Sequence, residues 1–252
     1  MKDVNGKYIW IIGASSGIGA ALAKELAANG AHLIISARRK EKLEELAAAL
    51  PGEGHMIAPL DVSDAKEIEK AQGTILQTAP RIDSAIFLAA IYKPHDGAKK
   101  PLSFIQNAID VNVMGAFNLV DVVQSQYEKQ GQGQIVLCAS VAGYRGLPTG
   151  QPYCATKAAL INLAESLKID LESKNIDVKV ICPGFVKTPL TDKNDFPMPM
   201  IIEAEDAAKA IRKGLCSRSF EIHFPKRFTF IMKLLRILPH GLYFAIARKM
   251  RS

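Results

Sequence analysis

The chain has no aspartate or glutamate after Glu221, no cysteine pair at metal spacing and a single tryptophan. Each scarcity excludes something. The four cysteines, Cys138, Cys154, Cys182 and Cys216, form no C-x-x-C pair, and none has a histidine at ligand spacing. They read as buried thiols in a reducing compartment, which argues against a disulfide scaffold or a zinc site, and no metal is expected. No stretch rich in Pro, Gly or Ser divides the chain. Residues 1–6 carry no apolar run ahead of a small-residue cleavage site, which points to a cytoplasmic location. The loss of acids at one end also explains the net charge of +7. Lys226, Arg227, Lys233, Arg236, Arg248, Lys249 and Arg251 supply that excess, so the body is neutral and the tail basic. A neutral body offers no basic groove for nucleic acid.

What is present is ordinary globular composition, 48% hydrophobic and 23% charged over 252 residues. Short apolar runs alternate with helical patterns. Residues 8–12, 32–36, 55–60, 82–89, 134–139 and 178–182 read as strands. Residues 18–29, 40–50, 65–78, 104–129 and 152–174 read as helices. The strands are continuously apolar rather than alternating, as a parallel sheet covered on both faces requires. Repeated β-α units with right-handed crossovers predict a single-domain, Rossmann-like, doubly wound sheet over residues 1–222, with a basic, apolar, helical extension over 223–252. Such a sheet binds its ligand at the carboxyl ends of its strands.

Gly13-Ala14-Ser15-Ser16-Gly17-Ile18-Gly19 follows the first strand and opens the first helix. Glycines let the backbone approach a pyrophosphate, and the helix N-terminus supplies free N–H groups and a positive dipole end. The second strand ends in Ala37-Arg38-Arg39, where an NAD site places an acid for the ribose 2′-hydroxyl. A guanidinium instead grips a 2′-phosphate, so NADP(H) is expected, with Arg38 ahead of Arg39. The alternative is two solvated arginines before a charged helix. Asp61, with Val62 at the end of the third strand, is placed to meet the adenine; a turn or cap role is the alternative, though Ser63 or Asp64 suits a cap better.

Tyr153 and Lys157 stand four apart on one helix face, with Pro152 at its start. An ammonium beside a phenol favours phenolate, which suits proton exchange with a substrate oxygen. Ser140 lies thirteen residues before Tyr153, Asn112 lies on the long helix, and Pro183-Gly184-Phe185-Val186-Lys187-Thr188 follows the sixth strand.

In order and spacing, these motifs resemble the short-chain dehydrogenase/reductase family over about residues 5 to 222. The resemblance implies that Tyr153 is the general acid/base and that Lys157 lowers its pKa and holds the nicotinamide ribose. It implies that Ser140 steadies the substrate oxygen and that Asn112 holds a water relaying protons from Lys157. Pro183, Gly184, Val186 and Thr188 would meet the nicotinamide carboxamide. Two departures stand out. Ile12 replaces the usual Thr, and Phe87-Leu88-Ala89-Ala90 replaces Asn-Asn-Ala-Gly, leaving main chain near Ala89 to contact the adenosine ribose.

Residues 189–202, with Phe196, Met198, Met200 and Ile201, read as a lid over an apolar substrate or as a packing segment. Residues 224–250 read as two short helices broken at Pro239-His240-Gly241, neither long enough to span a bilayer. They suit either the inner membrane surface or docking on the body. The expected function is an NADP(H)-dependent oxidoreductase, a homo-dimer or homo-tetramer, acting on an apolar carbonyl or secondary alcohol. The competing class is a non-catalytic NADP-binding sensor or membrane-surface scaffold.

Overall fold

The computed structural model describes residues 1–94 and 100–250, so Arg251 lies outside the described residues. Among these, seven strands form one parallel sheet: β1 (Tyr8–Ile12), β2 (His32–Ser36), β3 (Met56–Ile57), β4 (Ser84–Phe87), β5 (Gly133–Cys138), β6 (Ile176–Pro183) and β7 (Glu221–Phe224). Their order is β3-β2-β1-β4-β5-β6-β7. The order reverses between β1 and β4, which is where a doubly wound sheet opens a crevice. The fold is therefore the expected single α/β domain with a Rossmann-like sheet.

Successive residues of each strand feed opposite apolar layers. Ile9 and Ile11 of β1 pack on one face, Trp10 and Ile12 on the other. Helices α1 (Gly17–Ala28), α2 (Lys40–Ala48) and α7 (Ala204–Leu215) cover the first face, with Leu22, Leu26, Leu43, Ile211 and Leu215 buried there. Helices α3 (Ala65–Thr78), α5 (Gly115–Gln130) and α6 (Tyr153–Leu171) cover the second. Both faces being covered is why the strands read as unbroken apolar runs.

Several boundaries differ from the sequence pattern. β3 is an edge strand of two residues, although Ala58 and Leu60 still donate to Ile35 O and Ala37 O. The long helix is α4 (Leu102–Ile109), then a π-helical turn (Asp110–Met114), then α5. β7 and α7 were not read from the sequence, and β7 runs across the boundary drawn at 222/223. α8 (Lys226–Ile237) and α9 (His240–Lys249) are the two tail helices, broken at Pro239 as expected.

The tail is docked. Arg145 donates from one guanidinium nitrogen to Leu235 O (2.9 Å), Arg236 O (3.0 Å) and Leu238 O (2.6 Å), the carbonyls at the end of α8. The same guanidinium lies 4.1 Å from the Tyr243 ring centroid, and the Tyr243 hydroxyl donates to Gly146 O. Lys233 meets Glu221 at 2.5 Å.

In the core, the buried Trp10 indole N–H donates to Ser36 Oγ at 2.8 Å, tying β1 to β2. Ser36→Ala leaves that donor unsatisfied. The expected loss is about 1–3 kcal/mol, read as a lower urea midpoint with an unchanged slope.

Candidate active site

The β1–α1 turn is built around two positions where a side chain does not fit. Gly13 has φ of +92°, and a Cβ there would stand 2.6 Å from Ala89 N. A Cβ on Gly19 would stand 2.2 Å from Gly13 O. The turn therefore lies flat against the chain leaving β4, with Gly13 N and Ala14 N both donating to Ser36 O. Ser16 precedes α1 without a side-chain cap, and no acid occupies the first helical turn. The N–H groups there keep their attraction for an anion.

A cleft of about 590 Å³ opens above this turn. Gly13, Ser15, Ser16, Gly17, Ile18 and Gly19 line one side, with Ala89 near its middle. Arg38, Arg39, Asp61 and Val62 line another part, and Ser140, Tyr153, Lys157, Pro183, Gly184, Val186 and Thr188 the rest. Every residue expected at the site is thus brought to one cavity except Asn112, which is fully buried behind the wall.

The two arginines differ in their anchors. Arg39 donates to Ser15 Oγ at 3.0 Å, tying the β2 exit to the glycine turn. Arg38 is exposed, with its guanidinium 3.9 Å from Asp61 Oδ2. Burial pushes the Asp61 carboxyl up, but hydrogen bonds from the Ser63 hydroxyl and amide, with the Arg38 charge, outweigh it and hold it below its ordinary value. Asp64, not Asp61, caps α3 through Lys66 N and Glu67 N.

Helix α6 starts at Tyr153 and places Lys157 one turn on. Lys157 is buried, and its Nζ donates to Cys138 O at 2.7 Å while lying 5.5 Å from the Tyr153 ring centroid. Ser140 Oγ accepts from Ala142 N (3.1 Å) and donates to Pro183 O (3.4 Å). Burial raises the Tyr153 phenol well above its ordinary value; Cys138 adds to the rise and a hydrogen bond with Ser140 offsets part of it. The sequence reading expected a net shift the other way. It weighed the neighbouring ammonium but not the desolvation, which dominates.

Asn112 sits in the π-helical turn, a distortion that recurs at functional sites. Its Oδ1 accepts from Ile91 N (2.7 Å), and its Nδ2 donates to Ile91 O (3.0 Å) and Thr156 Oγ1 (3.2 Å). The Asn112 side chain thus braces the chain leaving β4 against α6.

Sequence reasoning missed Tyr92, whose ring meets Tyr153 edge-on at 5.1 Å. Its hydroxyl donates to Asn194 Oδ1 at 2.9 Å, tying residues 189–202 to the Tyr153 end of the cleft. It also missed Thr191, which accepts from Thr188 N and donates to Val186 O. No local motif marks either residue, because each acts through a partner chosen by the fold.

Comparison with known proteins agrees with this geometry. The family model for short chain dehydrogenases matches residues 7–197. An "uncharacterized oxidoreductase" of Myxococcus xanthus is 32% identical over 257 residues, spanning 100% of both chains. A 3-oxoacyl-acyl-carrier-protein reductase of Rickettsia felis is 31% identical over 193 residues, covering 77% of this chain and 78% of the relative. A short chain dehydrogenase from Burkholderia cenocepacia, solved in complex with NADP, superimposes with a TM-score of 0.83 at 21% identity, over 96% of this chain and 98% of that one.

Burial lowers the Lys157 ammonium from its ordinary value of 10.5, so the folded chain holds that proton less tightly than the unfolded chain. The charge therefore weakens folding at neutral pH, and the penalty fades as pH climbs toward the unfolded value. Lys157→Met is expected to raise stability near neutral pH by about 1 kcal/mol, even with Cys138 O deprived of its donor. Thermal melting should show that gain narrowing at alkaline pH.

Proposed function

The chain belongs to the short-chain dehydrogenase/reductase family and is an oxidoreductase; from that premise we propose that it reduces apolar carbonyl compounds to secondary alcohols with NADPH. One observation carries the reading: Ser140, Tyr153 and Lys157 converge with the glycine turn on a single cleft.

The residues present fit a dinucleotide. The Gly13–Ala89 approach has no room for a Cβ, so the turn lies as bare main chain along the cleft, and an uncapped helix start faces it. A volume of about 590 Å³ lies within the range of cofactor-sized sites. The turn residues Gly13 to Gly19 would hold the pyrophosphate. Asp61 and Val62 would receive the adenine, and main chain at Ala89 its ribose. Lys157 would hold the other ribose, with Pro183, Gly184, Val186 and Thr188 meeting the carboxamide. Arg38 and Arg39 support NADP(H) over NAD(H). No carboxylate stands at Ala37 to repel a 2′-phosphate, and a guanidinium matches that anion bidentately. Arg39, fixed on Ser15, is better placed than its sequence position suggested.

When bound, the nicotinamide supplies the hydride that a carbonyl carbon accepts. The chain's own residues manage the proton. A phenol raised by burial stays protonated at neutral pH, so Tyr153 Oη is a proton donor to the substrate oxygen, which suits reduction. Ser140 Oγ hydrogen-bonds the same oxygen and steadies its developing charge. An ammonium has three donors, and Cys138 O takes one, leaving others for ribose hydroxyls. Asn112 keeps α6 in place and so fixes where Tyr153 stands.

Tyr92 against Tyr153, with the Met-containing segment 189–202 that it holds through Asn194, supports an apolar, adaptable substrate end. Exposed apolar side chains on α4, α5 and α6, among them Leu102, Phe117 and Ile169, suit a homo-oligomer packed through those helices. Among the described residues, no helix is long and apolar enough to cross a membrane. We place the enzyme in the cytoplasm.

Absorbance at the nicotinamide band with a panel of apolar ketones, aldehydes and 3-oxoacyl thioesters tests the reading. Tyr153→Phe should lower kcat roughly 100- to 10,000-fold while NADPH binding persists. Tight NADPH binding without turnover across the panel would favour the non-catalytic sensor. Arg38→Ala should weaken NADPH roughly 10- to 100-fold and leave NADH unchanged, by titration of intrinsic fluorescence. An unchanged ratio would sink the NADP assignment.

A further inference from the structure

The inner and outer faces of the tail differ sharply. Thr229, Met232, Tyr243 and Ala247 point inward and are buried. Phe228 packs on Phe185 with ring centroids 5.3 Å apart, and Gly184 has no side chain where its Cβ would stand 2.6 Å from that ring. Gly184 lines the cleft, so α8 is one packed ring away from it.

Among the described residues, the outer face has no such cover. Phe230, Ile231, Leu234 and Ile237 follow one another at helical spacing along α8, and all four are exposed, Ile237 to 76%. Leu242, Phe244 and Met250 continue the exposure along α9. Of the fifteen large hydrophobic side chains exposed among the described residues, seven fall within residues 226–250. That is a tenth of the chain, so the clustering is a patch and not scatter.

Charge decides what covers it. Residues 226–250 hold six cations, Lys226, Arg227, Lys233, Arg236, Arg248 and Lys249, and no acid. Lys233 and Arg236 reach back to Glu221 and Glu165 on the body, whereas Arg227 and Arg248 are exposed beside the apolar residues. A second copy is a poor occupant. A two-fold contact sets this patch against itself and brings cations such as Arg227 and Arg248 against like charges, with no acid in residues 226–250 to offset them. At twelve and ten residues, α8 and α9 are far too short to span a bilayer.

We propose that the docked C-terminal helix pair is a membrane-surface platform. Its outer apolar face lies in the headgroup boundary of an anionic bilayer, and its exposed cations pair with lipid phosphates. Long basic side chains lay their stems along apolar surface while their charges reach water and headgroups. Neither helix needs to leave the body, because binding uses the face that docking leaves open. The protein contacts on the inner face and the lipid contact on the outer face are therefore compatible. The proposal is independent of the catalytic reading, since it concerns side chains outside the cleft.

Co-sedimentation of the full chain with vesicles of phosphatidylglycerol and phosphatidylcholine in equal proportion tests it. The protein should pellet with these vesicles, less so as salt rises, and far less with phosphatidylcholine alone. Ile231→Glu with Leu234→Glu should abolish pelleting. Arg227→Gln with Arg248→Gln should weaken it about 30-fold, roughly fivefold per cation. All four side chains are exposed, so both variants should keep the parental melting temperature. No pelleting with anionic vesicles, or pelleting indifferent to both variants, would overturn the proposal. So would a lipid-free dimer that the Ile231→Glu, Leu234→Glu variant splits, since a second copy would then cover the face.

Discussion

The close approach of Gly13 to Ala89 is the constraint from which the site follows. β1 and β4 are neighbours whose chains depart in opposite directions at the reversal of strand order. The crevice between them is usable only if the backbone leaving β1 can lie against the backbone leaving β4. Gly13 allows that by a positive φ and by having no Cβ. Gly19 then brings α1 down onto Gly13 O, so the free N–H groups of the helix start face the crevice. The changed run Phe87 to Ala90 leaves this intact because the contact is made by main chain. Asn112 adds to it by holding both polar groups of Ile91, the first residue past that run.

The catalytic end rests on a second tension. Lys157 is a buried cation held by the carbonyl of Cys138. The same burial that lowers the ammonium raises the Tyr153 phenol, so the two groups are pushed toward neutrality together. An arrangement of this kind is unfavourable for folding alone. Tyr92 touches Tyr153 on one side and holds residues 189–202 through Asn194 on the other.

The basic tail changes meaning once its two faces are separated. Arg145 satisfies three carbonyls at the end of α8 and leans on Tyr243 of α9, so a single side chain from the loop between Ser140 and Tyr153 secures both helices. That loop also carries the route from β5 to α6. The platform and the active site therefore share a support, and Phe228 against Phe185 gives them a second one.

Much of this was legible in the sequence, and the reason is local. Continuous apolar strands, helical periodicity, the glycine turn and the one-turn spacing of Tyr153 and Lys157 are encoded within short windows, where backbone geometry alone decides which residues share a face. The sheet, its covering helices and nearly all of the cleft lining follow from those windows. What the windows do not contain is the partner of each polar group and the degree of burial. The sign of the Tyr153 shift turned on desolvation, which depends on the whole packed site. Asn112 found Ile91 and Thr156, Tyr92 found Asn194, and Arg145 found residues some 90 positions away. β7 was too short to stand out until β6 offered it an edge. For the tail, sequence determined that it would be helical, broken at Pro239 and basic. Only the tertiary structure decided which face is spent on docking, because both faces carry apolar residues and only packing tells them apart.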